Sequence, residues 1–345
     1  MFENINSTAK EFDVLGLGEV LLRLSPPNKE RILSGETFEK KAGGAELNVV
    51  SGVSLLGLRT GIITKLPANE IGKYIKNKIR FTGVSDDYII YDQRKEARLA
   101  IYYYESGAAP RKPVVVYDRS NSSFTTLKIS ELNNDVFKKS KIFHVSGISM
   151  ALDKALCREV KEMIRNFKDN NTLISFDVNY RSTLWKEEEA RSKITEILPL
   201  VDILFISEET SRKMFHKQGT IEEIMKSYSE EYGCKLVATT QRTVLSPTKH
   251  TWSSIIFSGK ENKFYNEEPY KDIEVVDRIG SGDAYLAGVL FGLLKFNLVE
   301  RALEFGNAMA AIKNTIPGDM PVSDYQEILR VINDHKNKND SEMIR

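Results

Sequence analysis

The chain has 345 residues, 41% of them hydrophobic, which is enough for one large α/β domain with an appendage or for two ordinary domains. Its 49 basic and 48 acidic residues give a formal net charge of +1, which argues against binding to nucleic acid or to a membrane surface through bulk charge. The N-terminal stretch lacks the apolar segment of a signal peptide, and no apolar run approaches the ~18 residues of a membrane span, so we expect a cytoplasmic protein.

From Phe12 onward, short apolar segments typical of strands alternate with longer segments of helical periodicity. Strands are predicted over 12–24, 60–66, 141–147, 172–179, 202–207 and 234–240. Helices are predicted over 45–58, over 153–170 and over most of 283–333, while 1–11 and 335–345 are expected to fray. This alternation predicts an α/β fold with a doubly wound, mainly parallel sheet flanked by helices.

One region breaks the alternation. Residues 88–127 contain four segments rich in Val, Ile, Tyr and Thr with no helical segment between them: "YIIYDQ", "RLAIYYYES", "KPVVVYDR" and "SFTTL". Together with parts of 20–42, they predict a small β-sheet lid beside a main domain that extends over 12–334.

Several common catalytic motifs are absent. The segment "GLGEVL" has Leu21 where a dinucleotide-binding fingerprint needs its third glycine, and no P-loop sequence occurs. The four histidines form no H-E-x-x-H, and there is no G-x-S-x-G elbow. Cys157 and Cys234 are far apart and have no metal-ligand spacing, which favours two buried thiols.

The segment "DRIGSGDAYLAG" at 277–288 places a glycine-rich turn directly before an apolar helix. Backbone N–H groups of Gly280, Ser281 and Gly282, together with the helix N-terminus, would form an anion hole suited to a phosphate. Asp283 would then accept the proton of a hydroxyl that attacks a phosphoryl group. The alternative is that Asp283 only caps the helix.

A second glycine cluster lies near the first strand. In "KKAGGAELNVV", Gly43 and Gly44 precede a predicted helix that opens with Ala45, and Asn48 follows within its first turn. Paired glycines allow a ligand to approach the backbone closely, and the amide of Asn48 can donate to and accept from sugar hydroxyls. A tight turn would explain this cluster alone, but its combination with the turn at 280–283 favours a binding site.

The two clusters together resemble the two signatures of the ribokinase-like (PfkB-type) carbohydrate kinases, and the resemblance extends from Phe12 to about Asn333, including the lid. It implies that Asp283 is the catalytic base, that Gly280 to Gly282 form the anion hole, and that the first cluster holds the sugar. It also implies ATP as phosphoryl donor, Mg²⁺, and a homo-oligomer formed through the lid. Dependence on a monovalent cation is left open.

Within that family, "FDVNYRSTLW", "VVVYDR" and "TIPGDMP" resemble the kinases of 2-keto-3-deoxygluconate. The resemblance implies a set of sugar-binding residues: Gly43, Gly44, Ala45, Glu46, Leu47, Asn48, Tyr102, Tyr117, Arg119, Arg181 and Asp319. It implies a second set on the nucleotide side: Asn179, Arg181, Thr239, Thr240, Gln241, Gly280, Gly282 and Asn307.

An acid sugar agrees with the chemistry of these residues, because the planar guanidinium of arginine is a natural partner for a carboxylate. We therefore expect ATP-dependent phosphorylation of the 6-hydroxyl of 2-keto-3-deoxygluconate, with Arg181 meeting the carboxylate or the adjacent keto oxygen and Arg119 assisting from the lid. The alternatives are a fructokinase or another ribokinase-like sugar kinase, and a non-catalytic sugar-sensing protein on the same fold. The choice between gluconate- and galactonate-derived keto acids stays open.

The chain departs from the family pattern at two places on the nucleotide side. Ser207 and Thr210 replace the residues of an Asn-x-x-Glu motif, with Glu208 and Glu209 as candidate substitutes, so no metal ligand is assigned. The usual nucleotide-site motif is replaced by "TTQRTV" at 239–244.

Overall fold

The computed structural model describes residues 10–246 and 248–337, which contain fourteen strands and ten α-helices. The strands are β1 Phe12–Leu17, β2 Leu21–Ser25, β3 Glu39–Gly43, β4 Thr60–Pro67, β5 Ile89–Asp92, β6 Ala100–Glu105, β7 Val114–Asp118, β8 Ser140–Ser146, β9 Leu173–Asp177, β10 Ile203–Phe205, β11 Leu236–Ser246, β12 Lys249–Ser258, β13 Lys263–Asn266 and β14 Tyr270–Glu274. The helices are α1 Ala45–Leu55, α2 Glu70–Phe81, α3 Gly147–Ala151, α4 Lys154–Asp169, α5 Glu187–Thr195, α6 Glu208–Lys213, α7 Ile221–Tyr232, α8 Ser281–Phe296, α9 Val299–Asn314 and α10 Tyr325–Asn337.

A large sheet of ten strands forms the body, in the order β13-β12-β11-β10-β9-β8-β1-β4-β5, with β14 also paired to β12. The strands from β11 to β5 in that order are parallel to one another, and β12, β13 and β14 are added antiparallel. The structure thus confirms the predicted doubly wound, mainly parallel α/β fold with a separate small sheet.

The large sheet has a hydrophobic core on each face, because successive side chains of a strand point to opposite sides. In β1, Val14 belongs to the core under α1, α8 and α9, whereas Leu15 belongs to the core under α4 and α7. The same division separates Ile203 from Leu204 in β10. Because these strands are buried on both faces, almost all of their successive residues are hydrophobic.

The lid sheet has four strands in the order β3-β2-β6-β7. Strand β2 pairs antiparallel with β3 and parallel with β6, and β6 pairs antiparallel with β7. Strand β7 lies at an edge of the lid sheet, and all five of its residues are exposed.

Three predicted elements differ from the structure. Residues 12–24 form two strands in two different sheets, because the chain leaves the large sheet after Leu17 and enters the lid sheet at Leu21. Strand β5, within the predicted lid segment "YIIYDQ", pairs with β4 and belongs to the large sheet. The segment "SFTTL" forms a short 3₁₀ helix over Ser123–Thr126 rather than a lid strand.

The remaining predicted elements lie within a few residues of their observed ends. Residues 1–9 and 338–345, most of the two segments expected to fray, lie outside the described residues, whereas 335–337 end α10. Cys157 and Cys234 are buried free thiols, as predicted. Among the described helices, none has the length and apolar character needed to cross a membrane.

Candidate active site

Two cavities open side by side where the parallel strands of the large sheet end. One, of about 540 Å³, lies between the body and the lid sheet, and we call it the lid cavity. The other, of about 560 Å³, lies over the ends of β9, β10 and β11, and we call it the edge cavity. Both are lined by Asp177, Asn179, Arg181 and Gly282, so the two cavities meet there. Ligands of doubly wound folds bind at this end of the strands.

The turn before α8 is positioned by Gly280, which adopts a left-handed conformation with φ of 81° and forms the N-cap. A Cβ atom at this residue would lie 1.9 Å from the carbonyl oxygen of Asp319, so only glycine fits. At Gly282 an added Cβ would meet no other atom within 4 Å, because this residue faces the open cavities. Ser281 begins the helix and turns its hydroxyl back to the carbonyl of Arg278. The first-turn N–H groups of α8 therefore lie at the cavity wall, where an anion is favoured.

Asp283 lies in the first turn of α8 and lines the lid cavity. Its Oδ2 accepts a hydrogen bond of 2.7 Å from Nδ2 of Asn48, on α1. Because Gly280 is the N-cap and no side chain caps the helix, the alternative that Asp283 is merely a helix cap is not supported. Burial raises the pKa of Asp283 to about 7; the Asn48 hydrogen bond opposes this shift, and the nearby Asp177 adds to it. A carboxyl group with this pKa can take up a proton near neutral pH.

Asn48 lies in the first turn of α1, and the start of this helix is set by its N-cap, Gly44. Gly44 has a φ of 146°, a conformation that residues with a side chain rarely adopt. A Cβ at Gly44 would also lie 2.4 Å from the carbonyl oxygen of Glu19. Of the residues that follow, Ala45 and Glu46 line the lid cavity, while Leu47 is fully buried in the core. The predicted sugar-binding segment is thus divided between cavity and core.

Glu46 lines the cavity but its carboxylate is held by the body. Its Oε1 accepts hydrogen bonds from the backbone and hydroxyl of Ser146, at 2.9 and 2.7 Å, and from Ser149 at 2.8 Å. This arrangement fixes α1 against β8 and α3, so Glu46 supports the position of Asn48.

The end of β9 supplies the residues that both cavities share. Burial raises the pKa of Asp177 to about 7, against the opposing charge of Arg181. Asn179 adopts a left-handed conformation with φ of 38°, and its N–H donates to Asp177 at 3.1 Å. The exposed guanidinium of Arg181 donates to the carbonyl of Tyr180 at 3.2 Å and lies close enough to influence both Asp177 and Asp283.

A buried charge cluster joins the lid sheet to the turn before α8. Nη1 of Arg23, on β2, lies 2.7 Å from Asp277 and 2.8 Å from Asp319. The hydroxyl of Tyr102, on β6, donates to the other oxygen of Asp319. Tyr102 and Asp319 were expected to bind sugar, and both line the lid cavity, but both are also bound to this cluster. The inward Arg23 within the apolar strand "LLRLS" was a sequence signal for this cluster that the motif search missed.

Arg119 also has a partner within the protein. Its guanidinium donates to Oε2 of Glu19 at 2.6 and 3.0 Å, and Glu19 also accepts from the hydroxyl of Ser122. The ring of Tyr117 lies 5.3 Å from the Arg119 guanidinium and 5.7 Å from the ring of Tyr102. Tyr117 and Arg119 thus form the lid wall of the cavity, with the charge of Arg119 already balanced.

The residues predicted on the nucleotide side are only partly brought together. Thr240 lines the edge cavity, whereas Thr239 is buried, Gln241 is exposed, and neither of the two lines it. The side chain of Asn307 is buried away from both cavities, where it accepts from Trp252 and Ser254 and donates to Glu267.

The edge cavity contains one of the two candidate metal-site glutamates. Glu209 lines it and forms an ion pair of 2.6 Å with Lys213, while Glu208 pairs with Arg212 at 2.7 Å away from the cavity. Ser207 caps α6 by accepting from the N–H of Thr210 at 3.1 Å. Within 10–246 and 248–337, no group of three or more His, Cys, Asp or Glu residues is arranged to hold a metal ion.

Two further arginines, Arg242 and Arg278, line the lid cavity and were not predicted as site residues. Arg242 lies on β11 within "TTQRTV", and Arg278 lies between Asp277 and the anion-hole turn. The lid cavity is therefore lined by four arginines, and the sequence motif search had found only Arg119 and Arg181.

Comparisons with known proteins agree with one another. A family model described as pfkB family carbohydrate kinase matches residues 12–324. The chain is 32% identical over 320 residues to the 2-dehydro-3-deoxygalactonokinase of Haloferax volcanii, covering 93% of this chain and 96% of that protein. It is 28% identical over 327 residues to the 5-dehydro-2-deoxygluconokinase of Bacillus licheniformis, covering 93% and 96%. The crystal structure of 2-dehydro-3-deoxygluconokinase from Thermotoga maritima matches with a TM-score of 0.87 at 31% identity, covering 93% of this chain and 99% of that one.

Proposed function

The chain belongs to the pfkB family of carbohydrate kinases, and from this premise we propose that it transfers the γ-phosphoryl group of ATP to the 6-hydroxyl of 2-keto-3-deoxygluconate. Membership of the family makes it a phosphotransferase that acts on a sugar hydroxyl, with ATP implied as the donor. The proposal adds the identity of the sugar, the hydroxyl and the residues.

The position of Asp283 is the observation that supports this proposal most directly. It lies on the lid cavity, next to Gly282, one of the four residues that the lid and edge cavities share. A sugar in the lid cavity and the phosphates of ATP in the edge cavity would face each other at this point. Asp283 would accept the proton of the 6-hydroxyl as its oxygen attacks the γ-phosphorus and ADP leaves.

The turn at 280–282 would bind the phosphoryl group during its transfer. Negative charge on the transferring phosphoryl group would be stabilised by the N–H groups at the start of α8 and by the positive end of the helix dipole. Asn48 orients the Asp283 carboxylate through its 2.7 Å hydrogen bond, and Arg181 adds a positive charge beside both cavities.

Magnesium fits the donor set of the edge cavity. Mg²⁺ in kinases is held by one or two carboxylates together with phosphates and waters, and it neutralises phosphate charge. The carboxylates of Asp177 and Glu209 line this cavity, and they are the residues that would hold it.

An acid sugar is supported by the charges of the lid cavity. Of the four arginines that line it, Arg119 is paired with Glu19, and the positive charges of Arg181, Arg242 and Arg278 remain available to an anionic substrate. Two of the proteins similar to this chain are named for 2-dehydro-3-deoxy acids, which differ between gluconate and galactonate forms.

The experiment is to measure ADP release by the purified protein with ATP and a panel of sugars: 2-keto-3-deoxygluconate, its galactonate epimer, 5-keto-2-deoxygluconate, fructose and ribose. We expect the highest kcat/KM for 2-keto-3-deoxygluconate and a 6-phosphate as the product by ³¹P NMR. A preference for fructose would contradict the substrate, and no ADP release with any sugar would favour a sugar-sensing protein.

We also propose that two copies of the chain associate through their lids. Strand β7 pairs with β6 and forms an edge of the lid sheet, and its residues Val114 and Val116, which lie outside the lid cavity, are 44% and 50% exposed. Light scattering should therefore give the mass of a dimer, and Val116→Lys should shift it toward a monomer; a monomeric wild-type protein would contradict the proposal.

A further inference from the structure

The two arginines that the motifs did not predict differ from the other charged residues of the lid cavity. Neither the Arg242 nor the Arg278 guanidinium forms an ion pair or a hydrogen bond with any residue in the described part of the chain. Both are exposed residues that line the cavity, and no carboxylate within 10–246 or 248–337 forms an ion pair with either of them.

The two guanidinium groups line the same cavity, near enough for their charges to influence each other. Burial lowers the pKa of Arg242, and the charge of Arg278 lowers it further. The same two charges, after burial, lower the pKa of His250 on the adjacent strand. Two like charges without a counter-ion raise the energy of the empty cavity, and a bound anion would relieve that repulsion.

Of the other charged groups of the cavity, Arg119 and Asp319 form ion pairs within the protein, whereas Arg181 donates to the backbone carbonyl of Tyr180. Arg119 is held by Glu19 at 2.6 Å, and Asp319 is held by Arg23 at 2.8 Å. Burying a second anion beside Arg119 would place it next to the Glu19 carboxylate, which would oppose its binding. The balanced pair at Arg119 is therefore a poor receptor for a carboxylate.

Arg181 lies at a different end of the cavity. It lines both cavities and acts on the carboxyl groups of Asp177 and Asp283, whereas Arg242 and Arg278 do not line the edge cavity. The charges that influence Asp283 most include Arg181 but neither Arg242 nor Arg278. The unpaired arginines thus line the lid cavity but not the edge cavity, on the side where an acid sugar rather than the phosphates of ATP would lie.

We propose that Arg242 and Arg278 together hold the carboxylate of the acid sugar, while Arg181 faces the transferring phosphoryl group. This inference rests on the proposed function, and it reassigns the carboxylate from Arg119 and Arg181. A planar guanidinium can bind a carboxylate through two parallel hydrogen bonds, so two arginines can hold both of its oxygens. A neutral sugar would leave the repulsion between them unrelieved, which makes the pair a determinant of specificity.

The test compares two substrates that differ only at the carboxyl group: 2-keto-3-deoxygluconate and its carboxamide, in which a neutral amide replaces the carboxylate. Arg242→Met and Arg278→Met should each raise KM for the acid by about ten- to a hundredfold, the range expected for a hydrogen bond to a charged group. KM for the amide and KM for ATP should change little. Arg278→Lys should restore part of the preference for the acid, and thermal unfolding checks that each variant is folded.

Two variants serve as comparisons. Lys249→Met removes a cation from the same hairpin, where Lys249 pairs with Asp272 at the surface, and should leave the preference for the acid unchanged. Arg181→Met should lower kcat for the acid and the amide alike. A loss of preference for the acid in Arg181→Met alone would overturn the inference, as would unchanged KM values in both Arg242→Met and Arg278→Met.

The wild-type measurement separates this inference from the proposed function. If the wild-type protein phosphorylates no acid sugar, the proposed function fails, and the carboxylate site fails with it. If the wild-type protein prefers the acid but the Arg242 and Arg278 variants lose kcat for both substrates equally, the substrate is correct and the two arginines act on the phosphoryl group instead.

Discussion

The edge cavity is formed by one sheet, whereas the lid cavity lies between two. Around the edge cavity, polar side chains are satisfied by near neighbours in the chain: Ser207 binds Thr210, and Glu209 pairs with Lys213 one helical turn away. Around the lid cavity, Arg23 binds Asp319, Asn48 binds Asp283, and Arg119 binds Glu19, all across distant parts of the chain.

This difference implies that the two cavities tolerate substitution unequally. An exposed pair within one helix contributes only a few tenths of a kcal/mol, whereas breaking a buried pair leaves an uncompensated charge. The pairs around the lid cavity also connect it to the turn at 277–283, so residues around the proposed sugar site position the segment that carries Asp283 as well. Substitutions there should affect both stability and turnover.

The largest effect is expected at Asp283, where the two cavities approach each other. Asp283→Asn keeps the size of the side chain but removes the general base, and we expect kcat to fall by about 10²- to 10⁴-fold. Asp153→Asn is the matched control, because Asp153 caps α4 through the N–H groups of Ala155 and Leu156 and lies outside both cavities. Steady-state kinetics measure both variants, and near-normal turnover of Asp283→Asn would rule out the proposed mechanism.

The buried cluster beside the lid cavity gives the next effect. Arg23→Met leaves the carboxylates of Asp277 and Asp319 without their shared partner, and we expect the free energy of unfolding to fall by about 3–5 kcal/mol. Arg212→Met, which breaks the exposed pair with Glu208, should cost about 0.3–0.5 kcal/mol. Urea unfolding measures both. Equal losses of unfolding free energy in the two variants would contradict the expectation that the two cavities tolerate substitution unequally.

The pH dependence of turnover reports the carboxyl groups where the cavities meet. Burial raises the pKa of Asp283 and of Asp177 to about 7, so both carry protons below that pH, and a protonated Asp283 cannot accept the proton of the hydroxyl. We expect kcat/KM to rise with pH through about 7 and to fall by about tenfold per pH unit below it. A profile that is flat between pH 5.5 and 8 would contradict this assignment.

The smallest effect concerns the lid itself. Closing over the sugar would exclude water from the phosphoryl group, and we expect amide hydrogen exchange in β6 and β7 to slow when the sugar is added. Strand β5 lies in the segment predicted as lid but pairs with β4 in the large sheet, so its exchange should stay unchanged. Slowing in all three strands would indicate a global change, and slowing in none would argue against closure.

The sequence by itself determined the features that depend on neighbouring residues. Hydrophobic periodicity predicted the alternation of strands and helices, because a segment's burial pattern follows from its own repeat. The glycines at 43–44 and 280–282 predicted two turns at helix N-termini, since Gly44 and Gly280 adopt conformations that disfavour a side chain. Asp283 was found through its position in such a turn. These parts of the fold and of the site needed no knowledge of distant contacts.

Only the tertiary structure decided which strands share a sheet and which charges are paired. The strand-like composition of 88–93 was recognised, but its pairing with β4 rather than with the lid depends on hydrogen bonds between segments far apart in the chain. The sequence predicts Arg119 as a receptor for an anion, but Glu19 neutralises it, whereas Arg242 and Arg278 line the cavity without a carboxylate partner in the described part of the chain. Whether an arginine binds a ligand or a neighbour depends on the carboxylates within reach of it, and folding, rather than sequence position, brings those carboxylates close.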